Sequence, residues 1–268
     1  MLGAEAGGIV YDCDEDVRAE WLNKRVVFFG MGGFAEYSSV PINRLVKVPD
    51  DVSLPTALAL TTMGLTAHYL CSSTAKLKPG DHVLVHAAGS GTGRLVAQVA
   101  QNIYGATVVG TASTTKLENV PLPRERVVDY SGFPANLSDT LRSKTPDGRG
   151  FDIVFDGVGK DTATISLNAC RRRGLCVYFG NASGPVPPID PLTLSAKGSL
   201  FVTRPKLHDY VTEEGELAKR ASDVFDWVRS KKIDVAMDKQ YHSLDHISDA
   251  LNYVKEGHAR GKVVIKVA

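Results

Sequence analysis

The chain has 268 residues, 43% of them hydrophobic, which is enough to bury a full core in one or two globular domains and sets aside a disordered chain or a stapled miniprotein. Its 31 basic and 30 acidic residues leave a formal net charge of +1, so no broad field exists for gripping a phosphate backbone or an anionic bilayer. No stretch approaches the roughly 20 apolar residues of a membrane span, the start MLGAEAGGIV has neither a basic region nor a long apolar run, and Cys13, Cys71, Cys170 and Cys176 form no CxxC pair. An untargeted, soluble protein of the reducing cytoplasm is the expectation.

Short segments bounded by turn residues come first: AGGIVYD, KRVVFFG, GGFAEYSSV and RLVKVPD predict a β-rich region. From Leu54 the stretch PTALALTTMGLTAHYLCSST carries apolar residues at helical spacing. After the KPGD turn, Lys78 to Asp81, the apolar runs HVLVHAA, TVVGTA, RVVDY, FDIVFDGV, LCVYFG and SLFVTR alternate with helical stretches, clearest from Gly93 to Tyr104 and from Asp161 to Arg172. That alternation predicts an α/β fold with a doubly wound parallel sheet, whose strands read as continuous apolar runs because neither face meets water. Pro185 to Pro191 is a stiff loop inside this series. The tail holds the strand-like DKQYHSL, the amphipathic stretch SLDHISDALNYVKEG and a final strand KVVIKV. SLFVTR is last in the βα series, which predicts a sheet edge and a homodimer paired through it.

Between the strand HVLVHAA and a helix starting near Thr92 lies Ala87 to Gly93, AAGSGTG. Small residues at a helix N-terminus let backbone N–H groups approach a pyrophosphate. The strict GxGxxG spacing is not met, since Ala88 and Ser90 stand where glycines are usual. A tight strand-to-helix turn without a ligand is the alternative reading. At the end of the next strand an NAD enzyme usually places a carboxylate for the ribose 2′-hydroxyl. Here Gly110, Thr111, Ala112 and Ser113 occupy that place, no acid precedes Glu118, and Ser113, Thr114 and Lys116 offer donors suited to a 2′-phosphate. The competing reading of Lys116 is a solvated loop lysine.

The segments GAEAGGIV, GGFAEY, RLVKVPDDVS, GLTAHYL, KPGDHVLVHAAGSGTG, VVDY, FDIVFDGVGKDT, VYFGNASGPVPP and KGSLFVTRP follow one another along essentially the whole chain. In that order they resemble the zeta-crystallin-type quinone oxidoreductases of the medium-chain dehydrogenase/reductase superfamily. The resemblance implies a Rossmann domain over residues 61–205, flanked by a truncated β-rich GroES-like catalytic domain over 1–60 that C-terminal helices and a strand over 206–268 complete. It implies NADPH as cofactor, with Thr66 near the nicotinamide carboxamide, Gly91, Thr92 and Gly93 around the pyrophosphate, and Ser113 with Lys116 on the 2′-phosphate. Tyr130 would pack by the adenosine. Phe179, Gly180, Asn181 and Ser183 would border the nicotinamide ribose, and Phe201 to Arg204 would flank the ring. Tyr130 and Phe201 also read as ordinary core aromatics.

Zinc-dependent relatives carry a histidine ligand in a GHExxG segment, and here the matching residue is Ala4, so a zinc-free site is expected. The arginine often found near the cofactor before the last strand falls on Gly257, with Arg260 close by. Relatives of this type have several dozen residues ahead of Gly3. The resemblance therefore implies weaker turnover than a longer relative, and least protection over the first 50 or so residues. The expected activity is NADPH-dependent reduction of quinones. Reduction of enones or alkenals is the rival within the class. A nucleotide- or RNA-binding relative is the rival outside it, with Arg171 to Arg173 as the only candidate patch, a run that reads more simply as a solvated helix C-terminus favoured by the dipole. No HExxH, GxSxG elbow or paired carboxylates stand out, and His82 and His86 read as structural, so no catalytic acid or base is assigned.

Overall fold

In the computed structural model, which describes residues 3–267, the first strands β1 (Glu5–Ile9), β2 (Arg25–Phe29) and β3 (Leu45–Lys47) form an antiparallel sheet in that order. A short helix α1 (Arg18–Trp21) buries Trp21, and the Lys47 ammonium lies 4.3 Å from its ring centre. Helix α2 (Leu54–Tyr69) follows, continued by one π-helical turn.

The run Thr66–Asp209 forms one unit, and the segments up to Leu65 and from Tyr210 onward form the other. The first of these holds β4 (His82–Val85), α3 (Gly91–Gln98), β5 (Thr107–Ala112), β6 (Val127–Asp129), α4 (Leu137–Arg142), β7 (Phe151–Asp156), α5 (Ala163–Ala169), β8 (Cys170–Tyr178), α6 (Pro191–Ala196) and β9 (Phe201–Thr203). All six strands pair in parallel, in the order β6-β5-β4-β7-β8-β9. The order reverses between β4 and β7, which opens a crevice at the carboxyl ends of these two strands. Val83, Leu84, Val85, Phe151 and Phe155 are fully buried, as two covered sheet faces require. Each such side chain contributes about 1.5–3 kcal/mol by leaving water.

The chain then returns to the other unit through α7 (Glu216–Arg229), β10 (Met237–Tyr241), α8 (Ile247–Lys255) and β11 (Lys262–Ile265), with β10 and β11 parallel. Two ion pairs tie its late segments to its early ones. Arg229 grips Asp51 through Nε and Nη2, at 2.7–3.1 Å, and Lys262 pairs with Glu5, whose other oxygen accepts the Thr62 N–H at 3.1 Å. Among the described residues, no helix is long and apolar enough to cross a membrane.

Two expectations need correction. GGFAEYSSV forms no strand: Gly32 and Gly33 both donate to the Gly3 carbonyl, and Ser38 Oγ donates to Gly32, so this backbone closes on a local turn. The helix expected from Asp161 to Arg172 ends at Ala169, because Cys170 joins the sheet opposite Phe151 and buries its side chain there. Arg171 to Arg173 therefore belong to β8 and not to a helix end. Arg171 is ion-paired to Asp152, while Arg172 and Arg173 are exposed on the strand. Helix α7 falls in the C-terminal segment where helices are expected, ahead of the amphipathic stretch singled out above. It buries Leu217, Arg220, Ala221, Val224 and Phe225 along one stripe.

Asp152 organises the amino ends of the strands. Its carboxylate accepts the His82 N–H at 2.8 Å, pairs with the Arg171 guanidinium, and lies 3.6 Å from Arg149. Burial pushes its proton affinity up, but these donors outweigh that and hold the carboxyl below the ordinary range. A depressed carboxyl adds stability that is present above its unfolded value, about 3.9, and is lost as pH falls through the folded value. Asp152→Asn is expected to be less stable than the parent at pH 7, with the difference closing below about pH 4. Urea melts across that range check this, and a pH-independent difference would contradict it.

Candidate cofactor site

A cleft of about 320 Å³ lies at the carboxyl ends of the parallel strands. Its first wall is the turn from β4 to α3. Ala87 adopts a left-handed conformation (φ 54) and accepts the Ser90 N–H at 2.9 Å, while the Ala88 N–H bonds the Thr111 carbonyl at 2.8 Å. Ser90 caps α3 by accepting the Gly93 N–H. A β-carbon at Gly93 would sit 2.3 Å from the Ala87 carbonyl oxygen, and one at Gly89 would sit 2.6 Å from that of Lys116. Glycine at these two positions is thus demanded by backbone approach, although the full GxGxxG pattern is absent. Gly91, Thr92 and Gly93 make the first turn of α3; the Gly93 N–H is taken by Ser90 Oγ, and those of Gly91 and Thr92 have no earlier helical carbonyl to meet. The turn can receive an anion.

Ser113, Lys116, Tyr130 and Ser183 line this same cleft. Tyr130 stacks on Phe133, centroids 5.4 Å apart and planes 6° off parallel, and both rings face the cleft. Burial raises the Tyr130 phenol above its ordinary range. The second wall comes from two loops that supply Val158, Asp161, Ala182 and Ser183. Phe179, Gly180 and Asn181 belong to the loop that carries Ser183, and the Phe179 ring lies against Gly157. Gly91 to Gly93 and Phe179 to Asn181 adjoin lining residues along the chain without lining the cleft themselves, and three further expected positions stand apart from it. Thr66 is buried in α2, Phe201 is 63% exposed on the edge strand β9, and Arg204 bonds the Pro205 carbonyl. Sequence reasoning missed Phe133, Val158 and Asp161, and only the last two lie in a quoted motif, GVGKDT.

One carboxylate near this rim escaped a reading confined to the end of β5. The β5–β6 ladder sets Asp129 opposite Ala112, where its oxygens accept Thr114 Oγ1 at 2.6 Å and the Ser131 N–H at 2.8 Å. The Thr114 hydroxyl, then Ser131, hold this exposed carboxyl below the ordinary range. Asp129 is not among the cleft-lining residues. His86 is fully buried, with Nδ1 2.9 Å from Thr111 Oγ1, and burial lowers its proton affinity, so it stays neutral at pH 7.

Fold and cleft together define a dinucleotide-binding α/β protein. Residues 122–265 match the family model described as zinc-binding dehydrogenase. The chain is 33% identical to the 2-haloacrylate reductase of a Burkholderia species, over 99% of this chain and 80% of that one. The quinone oxidoreductase of Pseudomonas syringae pv. tomato superposes with a TM-score of 0.91 at 34% identity, covering 99% of this chain and 81% of that one. The Escherichia coli quinone oxidoreductase, solved in complex with NADPH, gives 0.90 at 30% identity, covering 99% and 82%. The chain belongs to the quinone oxidoreductase family of the medium-chain dehydrogenases/reductases, and it is an oxidoreductase.

Zinc does not fit the residues present, despite the description of the family model. Among the described residues no group of three or more His, Cys, Asp or Glu side chains could hold a metal ion. Cys71, Cys170 and Cys176 are buried, and burial pushes the Cys71 and Cys176 thiols up, away from the thiolate a metal needs.

Proposed function

We propose that the chain is an NADPH-dependent quinone reductase. The observation that carries this reading is the convergence of Ser113, Lys116 and the Ala87–Gly93 turn on one cleft, with no carboxylate in its β5 rim. The first turn of α3 would hold the pyrophosphate through its N–H groups. Lys116 and Ser113 would hold the 2′-phosphate, and the Tyr130–Phe133 stack offers an aromatic face for the adenine. When bound, NADPH supplies a hydride, and a quinone that takes it up with a solvent proton leaves as the hydroquinone. The chain's task is to hold the dinucleotide and keep water away. No protein acid is required.

A second reading is favoured by the 33% identity with a 2-haloacrylate reductase over 99% of this chain. Reduction of an activated carbon–carbon double bond needs a proton placed on the neighbouring carbon, and therefore a donor. Titration with NADPH and NADH, then turnover of a quinone beside an enone, separates the readings. Quinone turnover with NADPH supports the first. Enone turnover alone transfers the assignment to the second, and absence of NADPH binding removes both.

We infer also that two copies pair through β9. It is the edge strand of the six-stranded sheet, and Phe201 on it is 63% exposed, an arrangement that invites pairing with a copy of itself. Sedimentation at micromolar concentration should give a dimer, and Phe201→Glu a monomer. A parent that stays monomeric at every concentration would rule the pairing out.

A further inference from the structure

The second wall of the cleft is built on a carboxylate to which no role has been assigned. Asp156 ends β7 and is completely buried, with no ion pair among the described residues. Its Oδ1 accepts the N–H groups of Val158 at 2.8 Å and Gly159 at 3.0 Å. The Thr162 hydroxyl reaches both oxygens at 2.8–2.9 Å, and the Ser166 hydroxyl donates to Oδ2 at 2.6 Å. A buried charge is costly unless hydrogen bonds satisfy it, and all of these donors come from the ten residues that follow. The carboxylate thus winds the turn from Gly157 to Thr162 around itself and ties that turn to α5.

That turn is in turn joined to the loop after β8. Phe179 N–H donates to the Asp156 carbonyl at 2.8 Å, Ser183 N–H to Val158 at 2.8 Å, and Lys160 N–H to Gly184 at 3.1 Å. Asp161 N–H donates to Ser183 Oγ at 3.0 Å. Glycines allow the approach: a β-carbon at Gly180 would lie 2.5 Å from the Gly157 carbonyl, and one at Gly159 (φ +92) would lie 2.5 Å from that of Gly184. The two loops form one plate, and its cleft-lining edge is Val158, Asp161, Ala182 and Ser183.

We propose that Asp156 is a positioning residue for the cofactor: its carboxylate fixes the loop plate, and the plate holds the part of the dinucleotide that lies away from Lys116. This rests on the assignment of the cleft to NADPH. Ser113, Lys116 and Tyr130 are not among the hydrogen-bond donors to the Asp156 carboxylate, and Tyr130 feels only its charge, so binding at these residues should change little when position 156 is altered. Asparagine can stand in, because its oxygen keeps the two backbone N–H groups while its amide donates to hydroxyls that turn round to accept. Alanine cannot.

The test compares Asp156→Ala and Asp156→Asn with the parent for NADPH affinity, turnover and affinity for 2′,5′-ADP, a fragment that reports on the first wall. For Asp156→Ala, NADPH affinity and turnover should each fall at least tenfold, with 2′,5′-ADP binding within twofold of the parent. Asp156→Asn should restore most of the loss. Equal losses for NADPH and the fragment would reduce Asp156 to a general structural role and overturn the proposal, as would unchanged NADPH affinity. If Asp156→Ala does not fold, the Thr162→Val, Ser166→Ala double variant takes its place with the same pattern required. A parent that binds no NADPH would defeat the cofactor assignment itself, an outcome distinct from a parent that binds it and is indifferent to position 156.

Discussion

Lys116→Ala should lower NADPH affinity 10- to 100-fold and leave NADH affinity almost unchanged. A hydrogen bond to a charged group is worth about 1.5–3 kcal/mol, and each 1.4 kcal/mol is about a factor of ten in affinity. Lys116 lines the cleft beside Ser113, and its backbone is fixed twice, by its own N–H to the Ser113 carbonyl at 2.8 Å and by close approach of Gly89 to its carbonyl. The side chain therefore leaves from an anchored point, and removing it should not disturb the turn. Asp129 works in the opposite direction, since it lies on the neighbouring strand and is held ionised. Its charge is exposed and partly taken up by Thr114 and Ser131, so a phosphate contact from Lys116 should dominate. Fluorescence titration with both cofactors decides the matter. Equal losses for NADPH and NADH would withdraw Lys116 from the 2′-phosphate.

Gly93→Ala should destabilise the fold and weaken NADPH binding at least tenfold. Two effects compete. Alanine is the better helix former by about 1 kcal/mol, and Gly93 is a helical residue. Against that, the added methyl would lie 2.3 Å from the Ala87 carbonyl oxygen and 3.1 Å from Ser90 Oγ. Forced overpacking costs about 1–3 kcal/mol, and here the obstacle is a backbone pinned by the Ala88–Thr111 and Ser90–Ala87 hydrogen bonds. The clash should win, displacing the N–H groups that would face the pyrophosphate. A thermal melt beside the titration checks both effects. A variant as stable as the parent and equally tight for NADPH would show that the turn relaxes freely.

Two-sided burial made the parallel sheet readable: HVLV, TVVGTA and FDIVFD are apolar because both faces are covered, and β4, β5 and β7 are where those runs stand. One-sided elements were harder. In α7 the buried positions do recur at helical spacing, but ELAKRASDVFDWVR surrounds them with charge, so the stripe is diluted. Cys170 shows the opposite failure: its local sequence continues a helix, and pairing with Phe151 across the sheet overrides it. In the cleft, Ser113, Lys116, Tyr130 and Ser183 could be named because each sits in a recognisable segment. Phe133 could not, since it reaches the rim through a left-handed backbone (φ 44) and its stack on Tyr130. Nor could the burial of Asp156, because adjacency across strands is invisible along the chain.

The discontinuous unit also sets the order in which the molecule can be made. Thr66–Asp209 is a single run, so its sheet can close once Asp209 has been synthesised, whereas the pair between Glu5 and Lys262 spans 257 residues. At about 5–20 residues per second, β11 emerges roughly 3 to 10 seconds after the parallel sheet is complete. Throughout that interval β1, β2 and β3 have been synthesised but lack the Lys262 ion pair, and until Arg229 is made they lack its pair with Asp51 as well. Closing so long a loop is slow and entropically costly. Strands β1 to β3 thus leave the ribosome before the parallel sheet yet are locked after it, and their exposure to chaperones and proteases is set by the synthesis of the segment from Tyr210 to Ile265.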